Sequence, residues 1–314
     1  MPPTTKRRVH LIANSKSGKG QAESISEIAE KVCRELNAEL IPYPIDNPEE
    51  IVAQAKKAIA AVINSDDVVV AAGGDGTIRS VAEVAAGQPV QFAVVPCGTF
   101  NFFARTHQVP EDHEEALKLA VTGKAQPVRL GEINGRTFLI NASLGLYAKA
   151  IEEREENTKR FGRKRLVVIA SMLATLLKKH RLLHVILKTS GVDKLIKTPM
   201  VFIGNNALQL RSLALPVSKG LKQDMLAVIT LKPVRGWEMI RVIFRGIMKT
   251  LKNEERLDQL STDSLVIETK CKIQTVMLDG ELFEMTSPFQ IQSVPGALQM
   301  IVPAKAAVMT EVKS

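Results

Sequence analysis

One carboxylate stands among three glycines in the sequence GGDGT at residues 73–77. The apolar run at residues 68–72 precedes it and a helical pattern follows, so the segment is predicted to turn from a strand into a helix. Glycines in such a turn let backbone N–H groups approach phosphate oxygens closely, and the start of the helix favours anions. A carboxylate beside phosphates is repulsive unless a cation separates them, so Asp75 indicates Mg²⁺ in the same site.

A simpler interpretation of residues 73–77 is a tight turn in which Asp75 only caps the following helix. Two other loops favour the phosphate interpretation, namely NSKSGKG at residues 14–20 and PCGTFN at residues 96–101. The first of these lacks the spacing of a P-loop, so Walker-type binding is disfavoured. Three such loops after neighbouring strands predict one phosphate-binding edge.

A pair of carboxylates, Asp279 and Glu281, lies in VMLDGELFEM at residues 276–285. An Asp-Gly pair between two strand-like runs is typical of a hairpin turn, and that interpretation needs no function. The functional interpretation places both carboxylates at the hairpin tip, where one could take the proton from a substrate hydroxyl. The two interpretations are compatible, because a rigid hairpin is a good support for a base.

The order of predicted elements gives the frame for these residues. Residues 8–122 alternate strand-like and helix-like patterns, which predicts a doubly wound α/β domain whose ligands bind at the carboxyl ends of the strands. From about residue 127, short strand-like runs predict a β-rich antiparallel sandwich, interrupted by a helix at residues 236–252. We therefore predict two domains, at residues 1–128 and 129–314, with the final residues able to return to the first.

Composition fits this organisation and excludes several classes. The 314 residues, 45% of them apolar, are enough for two packed domains. Three cysteines and five histidines show no disulfide or metal-ligand spacing, which favours a reducing compartment. The longest apolar run, at residues 166–177, has 12 residues, whereas a membrane span needs about 20. We expect a soluble, cytoplasmic protein.

The net charge of +9 is unevenly placed. Residues 159–256 contain 21 Lys or Arg and 5 Asp or Glu, so the rest of the chain is acidic. This segment is either a solvated surface or a site of peripheral contact with an anionic membrane. Nucleic acid is not an expected partner, because aromatic residues, which stack on bases, make up only 4% of the chain.

Six stretches, in chain order, resemble the diacylglycerol kinase catalytic-domain family, which includes sphingosine and ceramide kinases and soluble bacterial lipid kinases. They are NSKSGKG, GGDGT, PCGTFNFFAR, INASLGLY, FIGNN and LDGE. The resemblance implies ATP bound to an N-terminal α/β domain similar to phosphofructokinase and NAD kinase. It also implies a β-rich domain with a lipid pocket, and Mg²⁺-dependent phosphorylation of a lipid hydroxyl.

The resemblance further implies roles for single residues. The implied nucleotide-binding residues are Asn14, Ser17, Gly18, Lys19, Gly73, Gly74, Asp75, Gly76, Thr77, Gly98, Thr99 and Asn101. Asp279 and Glu281 become the general base and its support, with Glu281 at the position often assigned as the proton acceptor in bacterial members. Asp75 organises Mg²⁺, and Asp224 is the one acidic residue of 221–228, where family members have a structural Mg²⁺ site.

Two departures from the family pattern keep other functions open. Many members have Asp where this chain has Phe102 and Arg129. A pseudokinase that binds nucleotide or lipid without turnover is therefore one alternative. An enzyme similar to NAD kinase is another, because it shares GGDGT, although no equivalent of its downstream Asn-Glu pair is found. The lipid, diacylglycerol-like or sphingoid-like, and the oligomeric state, monomer or homodimer, are left open.

Overall fold

The computed structural model of the chain describes residues 6–14, 24–146, 148, 182–189, 192–205, 224–234, 238, 241 and 254–304. The chain divides into two compact units. Unit 1 comprises Met1–Leu130 with Pro295–Ser314, and unit 2 comprises Gly131–Val294. The first division of the chain thus falls after residue 130, and the predicted boundary fell after residue 128.

Unit 1 is built on a parallel sheet. Its strands are β1 (Arg8–Asn14), β2 (Glu39–Ile45), β3 (Val68–Gly73) and β4 (Gln91–Pro96), and β5 (Lys124–Ile133) begins in it. Its helices are α1 (Ile25–Glu35), α2 (Ile51–Ala60), α3 (Asp75–Ala85), α4 (Phe102–Thr106) and α5 (His113–Thr122), with a 3₁₀ turn at Pro48–Glu50. The strand order is β2-β1-β3-β4, followed by the last strand of the chain, and every neighbouring pair is parallel. The predicted doubly wound α/β fold is confirmed.

Strand β3 lies at the centre of this sheet and carries the GGDGT turn at its end. Residues 68–72 of β3 are all buried, which explains why its sequence is a continuous apolar run. Directly before it, the buried carboxylate of Asp67 binds the guanidinium of Arg8 at 2.6 Å. Burial opposes the ionisation of Asp67, but Arg8 and backbone N–H groups hold the pKa of its carboxyl well below the ordinary value. The start of β3 is therefore anchored by a buried ion pair.

Unit 2 consists of two antiparallel sheets. Its strands are β6 (Arg136–Phe138), β7 (Asn141–Gly145), β8 (Leu183–Thr189), β9 (Val192–Thr198), β10 (Met200–Gly204), β11 (Leu226–Leu231), β12 (Leu257–Thr262), β13 (Ser264–Thr269), β14 (Ile273–Leu278), β15 (Glu281–Thr286) and β16 (Phe289–Val302), the last of which ends in unit 1. One sheet has the order β12-β11-β10-β7-β14-β15, and the other joins β16, β13, β8 and β9. Buried residues of both sheets, such as Leu144 and Ile267, share one core. The predicted β-rich sandwich is confirmed.

Some elements of unit 2 differ from the sequence-based expectation. Two strand-like runs, PFQIQSV and ALQMIVPA, were expected to be separate but form the single strand β16, because Gly296 adopts a positive φ of 64° without interrupting it. Strands β9 and β12 are not predicted from the sequence, because their charged and half-buried residues hide the alternation of apolar and polar positions that is typical of a strand. The helix predicted at residues 236–252 lies outside the described residues except for positions 238 and 241. Within the part of the chain that the structure describes, no helix has the length and apolarity needed to cross a membrane.

Candidate functional site

The GGDGT segment joins β3 to α3 in unit 1, as its sequence predicts. Gly74 is the residue that precedes α3, and its carbonyl accepts a bond from the N–H of Ile78 at 3.0 Å. A Cβ atom at Gly73 would lie 2.6 Å from Cβ of Thr77, so no side chain fits at position 73. The turn therefore folds directly onto the first turn of α3, whose N–H groups have no partners inside the helix.

The loop at residues 97–101 lies beside this turn. The N–H of Cys97 donates to the carbonyl of Gly73 at 2.9 Å. The side chain of Asn101 closes the loop, since its Oδ1 accepts from the N–H of Gly98 at 2.9 Å and its Nδ2 donates to the carbonyl of Gly98 at 3.1 Å. Asn101 is buried and has a positive φ of 49°. We call residues 73–77 and 97–101 together the loop pair.

The two members of the loop pair touch through their glycines. A Cβ atom at Gly98 would lie 3.0 Å from the Cα atom of Gly74 and 2.9 Å from Oδ1 of Asn101. A Cβ atom at Gly74 would lie 3.7 Å from the Cα atom of Gly98, which is an ordinary van der Waals distance. The close approach of the two backbones therefore depends on Gly98 more than on Gly74.

We expect Gly98→Ala to destabilise unit 1 by about 1–3 kcal/mol, because the added methyl group overpacks the contact between the two loops. Gly74→Ala is the matched control, and its effect should be within about 0.5 kcal/mol. Urea unfolding of both variants checks this difference. Equal losses would mean that the two glycines do not differ in the way their spacing indicates.

Asp75 connects the loop pair to helix α4. Its Oδ1 accepts a bond from the backbone N–H of Phe103 at 3.4 Å. Burial raises the pKa of the Asp75 carboxyl above its ordinary value, while the N–H groups of residues 101–103 act in the opposite direction. Helix α3 itself begins without a side-chain cap. Asp75 therefore caps α4 across the loop contact rather than its own helix.

His107 supports helix α4 from the other end, a role that its sequence context did not indicate. Its ring lies edge-on to that of Phe103, with the ring centroids 4.8 Å apart at an angle of 67°. Burial, together with the positive charge of Arg129, lowers the pKa of His107 to about 4. Arg129 thus helps to keep His107 neutral.

We expect unit 1 to lose stability as the pH falls from about 7.5 to about 5.5. In the unfolded chain His107 binds a proton below about pH 6.5, whereas in the folded chain burial lowers its pKa to about 4. Protons therefore favour the unfolded state in this window, by about 1.4 kcal/mol at pH 5.5. Urea unfolding at both pH values should show a smaller difference in His107→Phe, which keeps a ring against Phe103. The same difference in both proteins would assign the effect to other groups.

The second group of predicted residues lies in unit 2, at the turn between β14 and β15. Leu278 pairs with Glu281, which leaves a two-residue turn of Asp279 and Gly280. Both turn residues have positive φ, 50° and 96°. This is the hairpin that the Asp-Gly pair predicts.

The carboxylate of Asp279 is bound to backbone on both of its oxygens. Oδ2 accepts from the N–H of Leu139 at 2.7 Å, and Oδ1 accepts from Ile140 at 2.8 Å and Asn141 at 2.9 Å. The N–H of Asp279 in turn donates to the carbonyl of Asn141 at 3.0 Å. Asp279 therefore fixes the hairpin tip to the segment that leads into β7.

Asn205 donates two hydrogen bonds to backbone carbonyl groups of the same segment. Its side-chain Nδ2 donates to the carbonyl of Leu139 at 3.1 Å, and its backbone N–H donates to the carbonyl of Ile140 at 2.9 Å. Strands β10, β7 and β14 are neighbours in one sheet. The stretches INASLGLY, FIGNN and LDGE, which are far apart in sequence, thus meet in unit 2 around residues 139–141. Glu281 begins β15 next to this meeting point and is half-buried.

The remaining predicted site residues lie in neither the loop pair nor the hairpin. Asn14 ends β1, and Ser17, Gly18 and Lys19 lie outside the described residues. Asp224 is exposed and has a positive φ of 55° in the turn before β11 of unit 2. Among the described side chains, no group of three or more His, Cys, Asp or Glu is arranged to hold a metal ion.

Comparison with known proteins finds a family model that matches the first part of the chain. Residues 8–133 match the model of the diacylglycerol kinase catalytic domain. The chain is 42% identical over 87 residues to a protein of Cronobacter sakazakii named probable lipid kinase YegS-like, and this match covers 26% of the chain and 29% of the relative. It is 31% identical over 142 residues to a diacylglycerol kinase of Staphylococcus aureus, covering 45% of the chain and 44% of the relative. Both matches thus span less than half the length of the relative.

A solved structure shows the fold over nearly the whole chain. A crystal structure of a diacylglycerol kinase from Bacillus anthracis superposes with a TM-score of 0.68 at 20% identity, covering 96% of this chain and 99% of that one. At this identity the likeness concerns the fold. The predicted resemblance to the diacylglycerol kinase family is confirmed by the family model over residues 8–133.

Proposed function

We propose that this chain, whose residues 8–133 match the model of the diacylglycerol kinase catalytic domain, is an ATP- and Mg²⁺-dependent lipid kinase. It transfers the γ-phosphate to the hydroxyl of a diacylglycerol-like or sphingoid-like lipid. The observation that carries this proposal is the loop pair, in which two glycine turns touch so closely that a Cβ atom at Gly98 would lie 3.0 Å from Cα of Gly74. Backbone without side chains at the start of a helix suits the phosphates of a nucleotide.

The proposal assigns the nucleotide to unit 1. The first turn of α3 presents N–H groups that favour anions. Gly98 and Thr99 of the second loop are exposed, and Thr77 of the first is half-buried. Further contacts are assigned to Gly73, Gly76 and Asn101 of the loop pair and to Asn14, Ser17, Gly18 and Lys19.

Asp75 is the residue that we assign to Mg²⁺. This ion is commonly held by one or two carboxylates together with the phosphates of a nucleotide, so a single carboxylate at the loop pair fits it. The bond from Phe103 to Oδ1 fixes the direction of the Asp75 side chain. When bound, Mg²⁺ would offset the charge that develops on the transferring phosphate. Asp224 is an exposed turn residue of unit 2, and the proposal does not depend on it.

Of the two hairpin carboxylates, we assign the general base to Glu281 and the positioning role to Asp279. Both oxygens of Asp279 accept backbone N–H bonds, and a carboxylate bound in this way is stabilised in its ionised form. It is therefore a poor acceptor for a proton. Glu281 stands at the start of β15, held by the turn that Asp279 fixes, and it would take the proton from the lipid hydroxyl.

Peripheral contact with an anionic membrane is part of the proposal. It is supported by the excess of 21 basic over 5 acidic residues at positions 159–256. A lipid kinase must reach its substrate at a membrane surface, where each nearby Lys or Arg adds about 1 kcal/mol of attraction to anionic lipids. Sedimentation with vesicles with and without an anionic phospholipid tests this contact.

The decisive experiment for the proposal is a transfer assay. The purified chain is incubated with Mg²⁺, ATP labelled at the γ-phosphate and a total lipid extract from the source cell, and the lipids are then separated. We expect label in at least one lipid and none when EDTA is added. ATP binding without labelled lipid would favour the pseudokinase alternative, and labelled NADP from added NAD would favour the NAD kinase alternative.

A further inference from the structure

Phe100, in the second loop of the loop pair, is unusually exposed for an aromatic residue. Its exposed fraction is 58%. Among the exposed large apolar side chains of the described residues, it is the aromatic one. Burying a phenylalanine ring is favourable, but this ring stays exposed beside the two candidate phosphate-binding loops.

The ring of Phe100 is presented as a flat surface. It stacks on the ring of Phe102, with the centroids 5.5 Å apart and only 3° between the planes. One face of the Phe100 ring is thus turned toward Phe102, and more than half of the residue is still exposed.

The backbone that carries this stack is fixed on both sides of Phe100. Asn101 closes the loop onto Gly98 with two hydrogen bonds of 2.9 Å and 3.1 Å. Asp75 accepts from the N–H of Phe103 at 3.4 Å. A ring on a fixed backbone loses little conformational freedom when a ligand contacts it, which favours binding.

We infer that the exposed ring of Phe100 is the stacking surface for the base of the nucleotide. This inference rests on the proposed function, and it names the residue that would recognise the base rather than the phosphates. Phe100 belongs to the same loop as Gly98 and Thr99, to which the proposal assigns the nucleotide, so its ring stands beside the proposed phosphate contacts. An uncharged flat ring attracts a flat nucleobase and offers nothing to a phosphate.

The test compares two probes, ATP and inorganic tripolyphosphate, in calorimetric titrations of the full chain. We expect Phe100→Ala to weaken ATP binding by about tenfold and to leave tripolyphosphate binding unchanged. Phe100→Leu keeps an apolar side chain of similar size without a flat ring, and it should weaken ATP binding nearly as much. Thermal unfolding of both variants should match that of the unaltered chain, because the residue is exposed.

Several other results would contradict the role of Phe100 in base stacking. Equal weakening of both probes, or no weakening of either, would overturn the inference while leaving the proposed kinase in place if the unaltered chain still labels lipid. Unchanged ATP binding with reduced sedimentation on phospholipid vesicles would also overturn it, and would assign Phe100 to lipid contact. An unaltered chain that binds neither probe would overturn the inference and the proposed function together.

Discussion

Glu281→Gln is expected to slow phosphate transfer to lipid by about 10²–10⁴-fold, which is the usual contribution of a general base. The amide cannot take a proton from the lipid hydroxyl, but it keeps the size and polarity of the side chain. ATP affinity should stay unchanged, because the nucleotide is assigned to unit 1. The measurement is the initial rate with saturating ATP and a lipid that the transfer assay has identified.

A matched control for this substitution is available in the same strand. Glu284 is exposed on β15, and Glu284→Gln removes the same charge without touching the hairpin tip. Its rate should be within about twofold of the unaltered chain, since surface substitutions rarely matter. A Glu281→Gln variant as fast as the Glu284→Gln control would remove Glu281 from the chemistry.

Asp279→Ala is expected to destabilise unit 2 by about 3 kcal/mol or more. The substitution leaves the N–H groups of Leu139, Ile140 and Asn141 without their acceptor, and these residues are 2%, 3% and 5% exposed. Each buried donor that loses its partner costs about 1–3 kcal/mol. Urea unfolding monitored by circular dichroism gives the free energy directly.

The two hairpin carboxylates can then be separated by their readouts. Asp279→Asn should lower the stability, because the NH₂ group of the new side chain faces backbone N–H donors instead of accepting from them. It should also lower the transfer rate, because the hairpin tip that holds Glu281 is displaced. Glu281→Gln should lower the rate alone. Asp193→Ala, which removes an exposed carboxylate of β9, controls for general charge effects in unit 2. A stable Asp279→Asn variant with only its rate reduced would return the base role to Asp279.

The contrast between Asp75 and Asp279 shows what the sequence could predict. Both lie in turns that local patterns identify, because glycine and Asp-Gly signals act over a few residues. Their hydrogen-bond partners are distant, since Phe103 is 28 residues from Asp75 and Leu139 is 140 residues from Asp279. A sequence pattern that extends over a few residues cannot reveal a hydrogen bond between residues so far apart along the chain. The structure alone shows that each carboxylate fixes a backbone segment.

The sequence predicts a strand correctly where the residues of the strand are all buried or are alternately buried and exposed. Strands without such a pattern are missed. The five buried residues at the start of β3 make an unmistakable apolar run. Strand β12 has the sequence LDQLST, and five of its six residues are half-buried or exposed, so its pattern is weak. It forms because its backbone pairs with β11 over six residues, a tertiary contribution that outweighs the intrinsic preference of the segment.

Strand β16 has a consequence for the order in which the chain can fold during synthesis. Its residues Gln299 and Met300 pair with Gln91 and Phe92 of β4, and the carbonyl of Ala297 binds Gly87. Unit 1 therefore cannot complete its sheet until the ribosome has released residue 302, long after the rest of that unit has emerged. Until then β4 is an unpaired edge open to other strands. A fragment that stops at residue 133 keeps this exposed edge permanently, and we expect it to aggregate.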